Sequence, residues 1–424
     1  MQKFKFYLLA AAVTLPALGL RLTGSHVAPL LEALIYGLAI LGAAFLLSWA
    51  AEAAQKDLSQ GAALAILALI TILPEYAIDL YYTWQAGKDP SSEYVSYAAA
   101  NMTGANRLLV GFAWPLIAIL FWWRTGKRAV QLSWENSAEV AFLGIATLYS
   151  FTIPLRSEIS LYDFVFLGGL FFAYLWRISK MPVEDEHLEG PAVAIGNLPR
   201  TQRRWSIGLL ALFAAFVILL VAEPFAEALI HSGESLGIDE FLLIQWLAPL
   251  ASEAPEVVIC VLFVLKLKPT AAIGALVSSK INQWTLLVGM IPLVYSLAAG
   301  RLAALPLGER QNEEFFLTAA QSLFAVALLL RLRLSLWGAF ALLIMFIGQF
   351  TLSFIYRNDE PTTIAVLTAF AWLYVALAAA LFLWNRRFID DYIKIGILNR
   401  PAPELEAAHR EDAPQLALAV PPPE

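Results

Sequence analysis

The sequence predicts an all-α polytopic membrane protein of about 12 transmembrane helices, built from two related halves. Three observations lead there. Apolar residues make up 60% of the 424-residue chain and charged residues only 15%, too little charge to cover a soluble surface of that size. Apolar runs near 20 residues recur along almost the whole length, each long enough to cross a bilayer's hydrocarbon core. Finally, two stretches look like copies of each other. Thr71-Ile72-Leu73-Pro74-Glu75 leads to Asn101, and Ser252-Glu253-Ala254-Pro255-Glu256 leads to Asn282; in both, the Asn follows the second-position Glu of the Pro-Glu pair by 26 residues. Both runs then close on Leu-Leu-Val-Gly, at 108–111 and 286–289.

Taken in order, the expected spans lie near 4–23, 28–50, 60–84, 94–123, 136–154, 159–178, 206–228, 241–266, 272–298, 314–331, 335–356 and 362–385. The first of them follows Lys3 and Lys5 and reads either as a retained helix or as a cleaved signal peptide; the weak small-residue pattern at Leu18-Gly19-Leu20-Arg21 favours retention. The longest connection, 179–205, mixes both charges with Pro and Gly and divides the chain in two. The tail 401–424 has too little to bury and is expected to be disordered. The single cysteine, Cys260, excludes an internal disulfide, and no Cys/His metal cluster can be built.

Charge sets the orientation. With the N-terminus inside, 20 of the 28 basic residues fall on the cytoplasmic side, six fall outside, and two, Arg107 and Lys280, fall within spans. That asymmetry obeys the positive-inside rule and puts both termini and the loop 179–205 in the cytoplasm, the expected location being the plasma (inner) membrane. The first Pro-Glu helix then starts inside and the second outside, so the repeats are inverted, an architecture shared by many secondary transporters.

The Pro-Glu pairs mark the expected site. Pro74 cannot donate to the carbonyl of Ile70, nor Pro255 to that of Ala251, so each helix is expected to break there and free a carbonyl about one turn before a glutamate. Carboxylate, carbonyl and amide oxygens together suit hard cations. Intramembrane carboxylates cost roughly 3 kcal/mol each or more, which favours a functional role for Glu75 and Glu256 over a purely structural pairing with Arg107 and Lys280. Four further polar residues read as modulators. Glu253 shares a helical face with Glu256 and is either a ligand or the partner of Lys280. Asp79, one turn after Glu75, lines the pathway or sits near its outer mouth. Asn106 reads as helix-packing glue. Lys280, two residues from both Ser278 and Asn282, must pair with a carboxylate or lose its proton. A charged, paired Lys280 occupies part of the negative charge that a divalent ion needs and tilts the site towards monovalent ions; a fixed structural pair with Glu253 is the alternative.

A hydroxyl-x-x-Pro-Glu segment, a second helix bearing Asn, and two inverted copies together resemble the calcium:cation antiporter superfamily, which includes sodium/calcium and cation/proton exchangers. The resemblance covers roughly 28–356 and implies a ten-helix (5+5) core with one extra helix at each end. The chain then divides into an N-terminal helix (1–27), a first repeat (28–178), the cytoplasmic loop (179–205), an inverted second repeat (206–356), a C-terminal helix with its cytoplasmic end (357–400) and the tail. By position the resemblance implies a midplane cation site of Glu75, Glu256, Asn101, Asn282, Thr71, Ser252 and Ser278, with Glu75 and Glu256 as the metal ligands. In this sequence Tyr97 stands where the second copy has Ser278. Counted from the closing Leu-Leu-Val-Gly, Asn282 matches Asn106 as well as Asn101.

The implied function is secondary antiport of Na⁺, H⁺ or Ca²⁺ by alternating access, with small cations and the lipid bilayer as partners, no nucleic acid and no cofactor. The competing class is a non-transporting membrane protein or an intramembrane enzyme on the same scaffold. The absence of a nucleotide loop, a Ser-x-x-Lys or a His-Glu-x-x-His element argues against the enzyme.

Overall fold

The computed structural model describes residues 5–54, 56–57, 73–133, 136–180, 188, 190–389 and 392–397. Thr71 and the tail 401–424, both singled out above, lie outside the described residues, as does most of 179–189.

The described chain is a bundle of long helices. They are α1 (Lys5–Thr23), α2 (Pro29–Ala54), α3 (Leu73–Lys88), α4 (Tyr94–Thr125), α5 (Ser137–Arg156), α6 (Leu161–Ile178), α7 (Arg200–Leu236), α8 (Glu240–Leu265), α9 (Pro269–Ala299), α10 (Glu309–Leu329), α11 (Leu336–Ile355) and α12 (Glu360–Trp384). Among the described residues, ten of these are long and apolar enough to cross a membrane. The other two are α3, described only from Leu73 onward, and α10, whose first turns read Glu309-Arg310-Gln311-Asn312-Glu313-Glu314.

Capping side chains start several helices. Asp239 accepts from the amide of Phe241 at the head of α8, Ser335 from Gly338 at α11, and Asp359 from Thr362 at α12. Such caps satisfy amides that have no partner within the helix.

Helices α4 and α9 form the centre. They bury 72% and 78% of their most apolar windows, against 50% or less for the other spans. Each contains one π turn, Leu109–Ala113 in α4 and Gln283–Leu287 in α9. Each ends on a left-handed glycine, Gly126 (φ 73°) and Gly300 (φ 65°), a conformation that any side chain would strain. Helices α4 and α8 approach to backbone contact: a Cβ added at Gly104 would lie 1.9 Å from the carbonyl oxygen of Gln245. Small residues at helix crossings permit such contacts in a membrane.

Two short ladders join the halves. β1 (Ala129–Gln131) pairs antiparallel with β4 (Arg333–Ser335), and β2 (Glu158–Ile159) with β3 (Leu305–Pro306). At the end of α2, Asp57 accepts from Arg203 of α7 (2.6 and 2.9 Å), whose guanidinium holds the Asp57 carboxyl below the usual carboxylate range.

Candidate functional site

Helix α8 does not break as the sequence predicts. It stays helical from Glu240 to Leu265 through both Pro249 and Pro255. Proline removes one amide donor and crowds the preceding turn, and packing on both sides of α8 holds the helix together across that local loss. The carbonyl of Ala251 therefore remains part of a helix wall, while Ile70 lies outside the described residues. In the first repeat, Pro74 and Glu75 lie on α3, and the residues before Leu73 lie outside the described residues.

The carboxyls converge across the repeats. The carboxyls of Glu75 of α3 and Glu253 of α8 lie within interaction reach of one another and of Gln283 at the head of the α9 π turn, whose Nε2 donates to Glu75 Oε2 at 3.3 Å. Glu253 is therefore the partner of Glu75 and Gln283, not of Lys280. One turn along α3, fully buried Asp79 accepts from Asn101 Nδ2 at 2.6 Å. Glu256, which is partly exposed, accepts from Ser279 Oγ at 2.9 Å. Glu75, Asp79, Asn101, Glu253 and Gln283 are all buried, and each keeps a side-chain oxygen with no protein hydrogen-bond partner. Asn282 is buried too, and neither its Oδ1 nor its Nδ2 has a partner.

Other expected residues are placed elsewhere. Ser278 shares a 2.5 Å hydrogen bond with Tyr174 Oη of α6, so Ser279, one residue on, is the hydroxyl that reaches a carboxylate. Adjacent helical residues project about 100° apart, which separates the two serines into different surroundings. Ser252 bonds back to the carbonyls of Ala248 and Pro249 in its own helix. Asn106 donates to the carbonyl of Met102 and accepts from Lys280 Nζ at 2.6 Å.

The two membrane-embedded cations also differ from expectation. Lys280 is fully buried, with its ammonium on Asn106 and 4.4 Å from the Trp284 ring centroid; Glu75 lies within electrostatic reach but forms no ion pair with it. The carboxyl cluster is therefore not directly neutralised by the lysine, because its stem carries the ammonium to the other repeat's amide. Arg107 pairs with Glu314 of α10 and lies over the Trp246 ring at 5.1 Å, away from Glu75. Sequence reasoning missed Gln283, Ser279, Glu313 and Glu314. A polar Gln next to Asn282 inside an apolar run was a usable signal, whereas α10 pairing with α4 left none.

Arg107 yields a stability test. Glu313 and Glu314 are both buried beside it, so Arg107→Ala leaves buried carboxyls without their countercharge, at a cost of about 3–5 kcal/mol. Thermal unfolding in detergent should show a large drop for Arg107→Ala and a smaller one for Arg107→Lys; equal melting of all three proteins would mean that the pair contributes nothing.

A hydrogen bond between two carboxyl groups requires a proton on one of them. Removing that proton from the Glu75–Glu253 pair leaves two negative charges together in a low-dielectric interior, which an arriving cation relieves. As they stand, no three acidic, His or Cys side chains among the described residues form a metal-holding group. Acids so placed can share a proton or, once it has left, receive a cation.

Comparison with known proteins shows the family. The profile described as sodium/calcium exchanger protein matches two segments, residues 29–180 and 205–355. The chain belongs to this exchanger family. It is an integral multi-pass membrane protein of the calcium:cation antiporter superfamily. The crystal structure of the H⁺/Ca²⁺ exchanger CAX is similar over 93% of this chain and 98% of its own, with 40% identity and a TM-score of 0.88. Native YfkE shares the fold at 14% identity, covering 82% of this chain and 99% of its own, with a TM-score of 0.60. The sodium-calcium exchanger NCX_Mj does so at 15% identity, over 76% and 99%, with a TM-score of 0.51. A search of the curated proteins gives no match. Within the exchanger family frame, the Glu75–Glu253–Gln283 contact lies where the two matched segments meet.

Proposed function

We propose that this exchanger moves Ca²⁺ against protons, by alternating access at a midplane site shared between its repeats. The observation that carries the reading is the close approach of the Glu75 and Glu253 carboxyls beside Gln283: a proton shared there occupies oxygens that a divalent cation needs, so proton and cation exclude one another. Glu75, Glu253 and Glu256 supply anionic ligands, Asn282 and Gln283 neutral oxygens, and Asp79 with Asn101 the next polar step. The 40% identical H⁺/Ca²⁺ exchanger supports the same ion pair. Lys280, held by Asn106, balances charge beside the cluster without occupying it.

The same reading takes the membrane to be the plasma membrane, crossed twelve times with both ends cytoplasmic, α2–α6 and α7–α11 being the inverted repeats and α1 and α12 the additions. The ladders support it, because β1 with β4 and β2 with β3 join loops that the basic-residue asymmetry assigns to one face each.

Purified protein in liposomes tests the ion pair. Radioactive Ca²⁺ uptake should follow an inside-acidic pH gradient and vanish when a protonophore collapses it. Uptake that ignores pH and follows a Na⁺ gradient, or no flux at all, would reject the proposal.

A further inference from the structure

Helix α10 opens on Glu309-Arg310-Gln311-Asn312-Glu313-Glu314, a run too polar to face lipid, and the central carboxyl cluster uses none of it. Its side chains turn inward instead. Gln311 Nε2 donates to Ser96 Oγ of α4 at 2.9 Å, and Arg310 donates to Asp239 at the head of α8 at 2.7 Å. Helices α4, α8 and α10 therefore begin at one end of the bundle. The Arg310–Asp239 pair, with side chains 15% and 20% exposed, marks the approach from solvent. One turn further along α10, Glu313 and Glu314 are both more than nine-tenths buried.

The charges there do not balance. Arg107 of α4 pairs with Glu314, and Arg310 pairs with Asp239. Glu313 is the third carboxyl beside two guanidinium groups, and neither of its oxygens has a hydrogen-bond partner. Among the described residues, the charged groups within its electrostatic reach are Glu314, Arg107 and Arg310. Both of those arginines are already paired, and Arg156, at the end of α5, is taken by Asp163. An ionised carboxylate without a partner at that depth is costly, and a proton removes the cost. The two guanidinium groups repel any larger cation, so the proton is the ligand that fits. Further polar atoms stand open on the Arg107 side. Tyr374 Oη of α12, within electrostatic reach of Arg107, is buried and has no partner. Gln321 donates its amide to the Arg107 carbonyl, and its Oε1 is buried and unpartnered too.

We infer that Glu313 is a second proton-binding group of this exchanger, separate from the central carboxyls and loaded from the end where α8 and α10 begin. A proton on Glu313 leaves Arg107 wholly to Glu314. Once that proton departs, two carboxylates compete for one guanidinium. Arg107 directly follows Asn106, the acceptor of Lys280, so the load on Glu313 acts on α4 one residue from the amide that holds the lysine. The site does not depend on which ions are exchanged.

Dicyclohexylcarbodiimide, an apolar reagent that couples to protonated carboxyls and spares carboxylates, provides the test on wild-type protein in liposomes. Peptide mass spectrometry should find the adduct on Glu313 and not on Glu314. Its yield should fall by at least about tenfold between about pH 6 and about pH 10, as the proton is drawn off. An adduct on Glu314, no adduct, or a yield on Glu313 that ignores pH would overturn the assignment. Stability gives a second readout. The proton stabilises the folded state, so wild-type melting should fall as pH rises over the same range. Glu313→Gln is permanently neutral and should melt with a flatter pH profile, and Glu313→Asp should restore the slope. Superimposable profiles for wild type and Glu313→Gln would likewise refute the site. Should the glutamine variant misfold, the labelling of the wild type decides alone. Neither readout uses Ca²⁺ flux, so this site and the Ca²⁺/proton reading can fail separately.

Discussion

Glu75→Gln and Glu256→Gln are each expected to abolish Ca²⁺ uptake while leaving a folded, membrane-inserted protein. Glutamine keeps the shape of glutamate and removes a buried or half-buried charge, so folding has no reason to fail. Loss of one anionic ligand removes a charge-assisted contact worth roughly 3 kcal/mol, about a hundredfold in affinity. In the proposed exchange Glu75 has a second role, sharing a proton with Glu253. Glu253→Gln should therefore differ in kind: Ca²⁺ binding weakens, and the dependence of uptake on pH flattens because the shared proton is gone. Uptake and Ca²⁺ titration calorimetry on the three purified variants decide the matter. Wild-type transport by Glu75→Gln or Glu256→Gln would remove that residue from the site.

Gly104→Val is expected to yield no monodisperse protein. The side chain would have to occupy space held by the Gln245 carbonyl oxygen, 1.9 Å from the Cβ position, and that oxygen belongs to a helix backbone that cannot swing aside. Ordinary overpacking costs about 1–3 kcal/mol; here relief requires α4 and α8 to part, and these helices carry Asn101 and Glu253. Even Gly104→Ala should lower the melting temperature well below that of the wild type. A Gly104→Val protein with wild-type melting and elution would show that the two helices do not need this contact.

Much of the fold was legible because apolar length is a strong signal in a membrane, where backbone groups must be satisfied within each span. The repeated Pro-Glu pairs located the acids for the same reason: a carboxylate inside hydrocarbon is costly enough to demand an explanation. Contacts between helices were much less legible. Choosing Ser278 over Ser279 is a matter of about 100° around one helix, and a single matched spacing cannot resolve it. The π turns at Leu109–Ala113 and Gln283–Leu287 begin at different distances from Asn101 and Asn282, eight residues against one, so repeat arithmetic fails beyond them. The partners of Lys280 and Arg107 depend on how α4 crosses α9 and α10, which no local pattern encodes; Asn106 and Glu314 lie 174 and 207 residues away in the chain.

The two small ladders bear on biosynthesis. Ala129–Gln131 finds its partner at Arg333–Ser335, and Glu158–Ile159 at Leu305–Pro306, so each earlier strand leaves the ribosome long before its mate. During synthesis the first half must wait with unpaired backbone edges at its loop tips, held only by its own helices. Maturation thus ends late, when the last third of the chain arrives and closes both clasps. A newborn N-terminal half is an unfinished object, not a small exchanger.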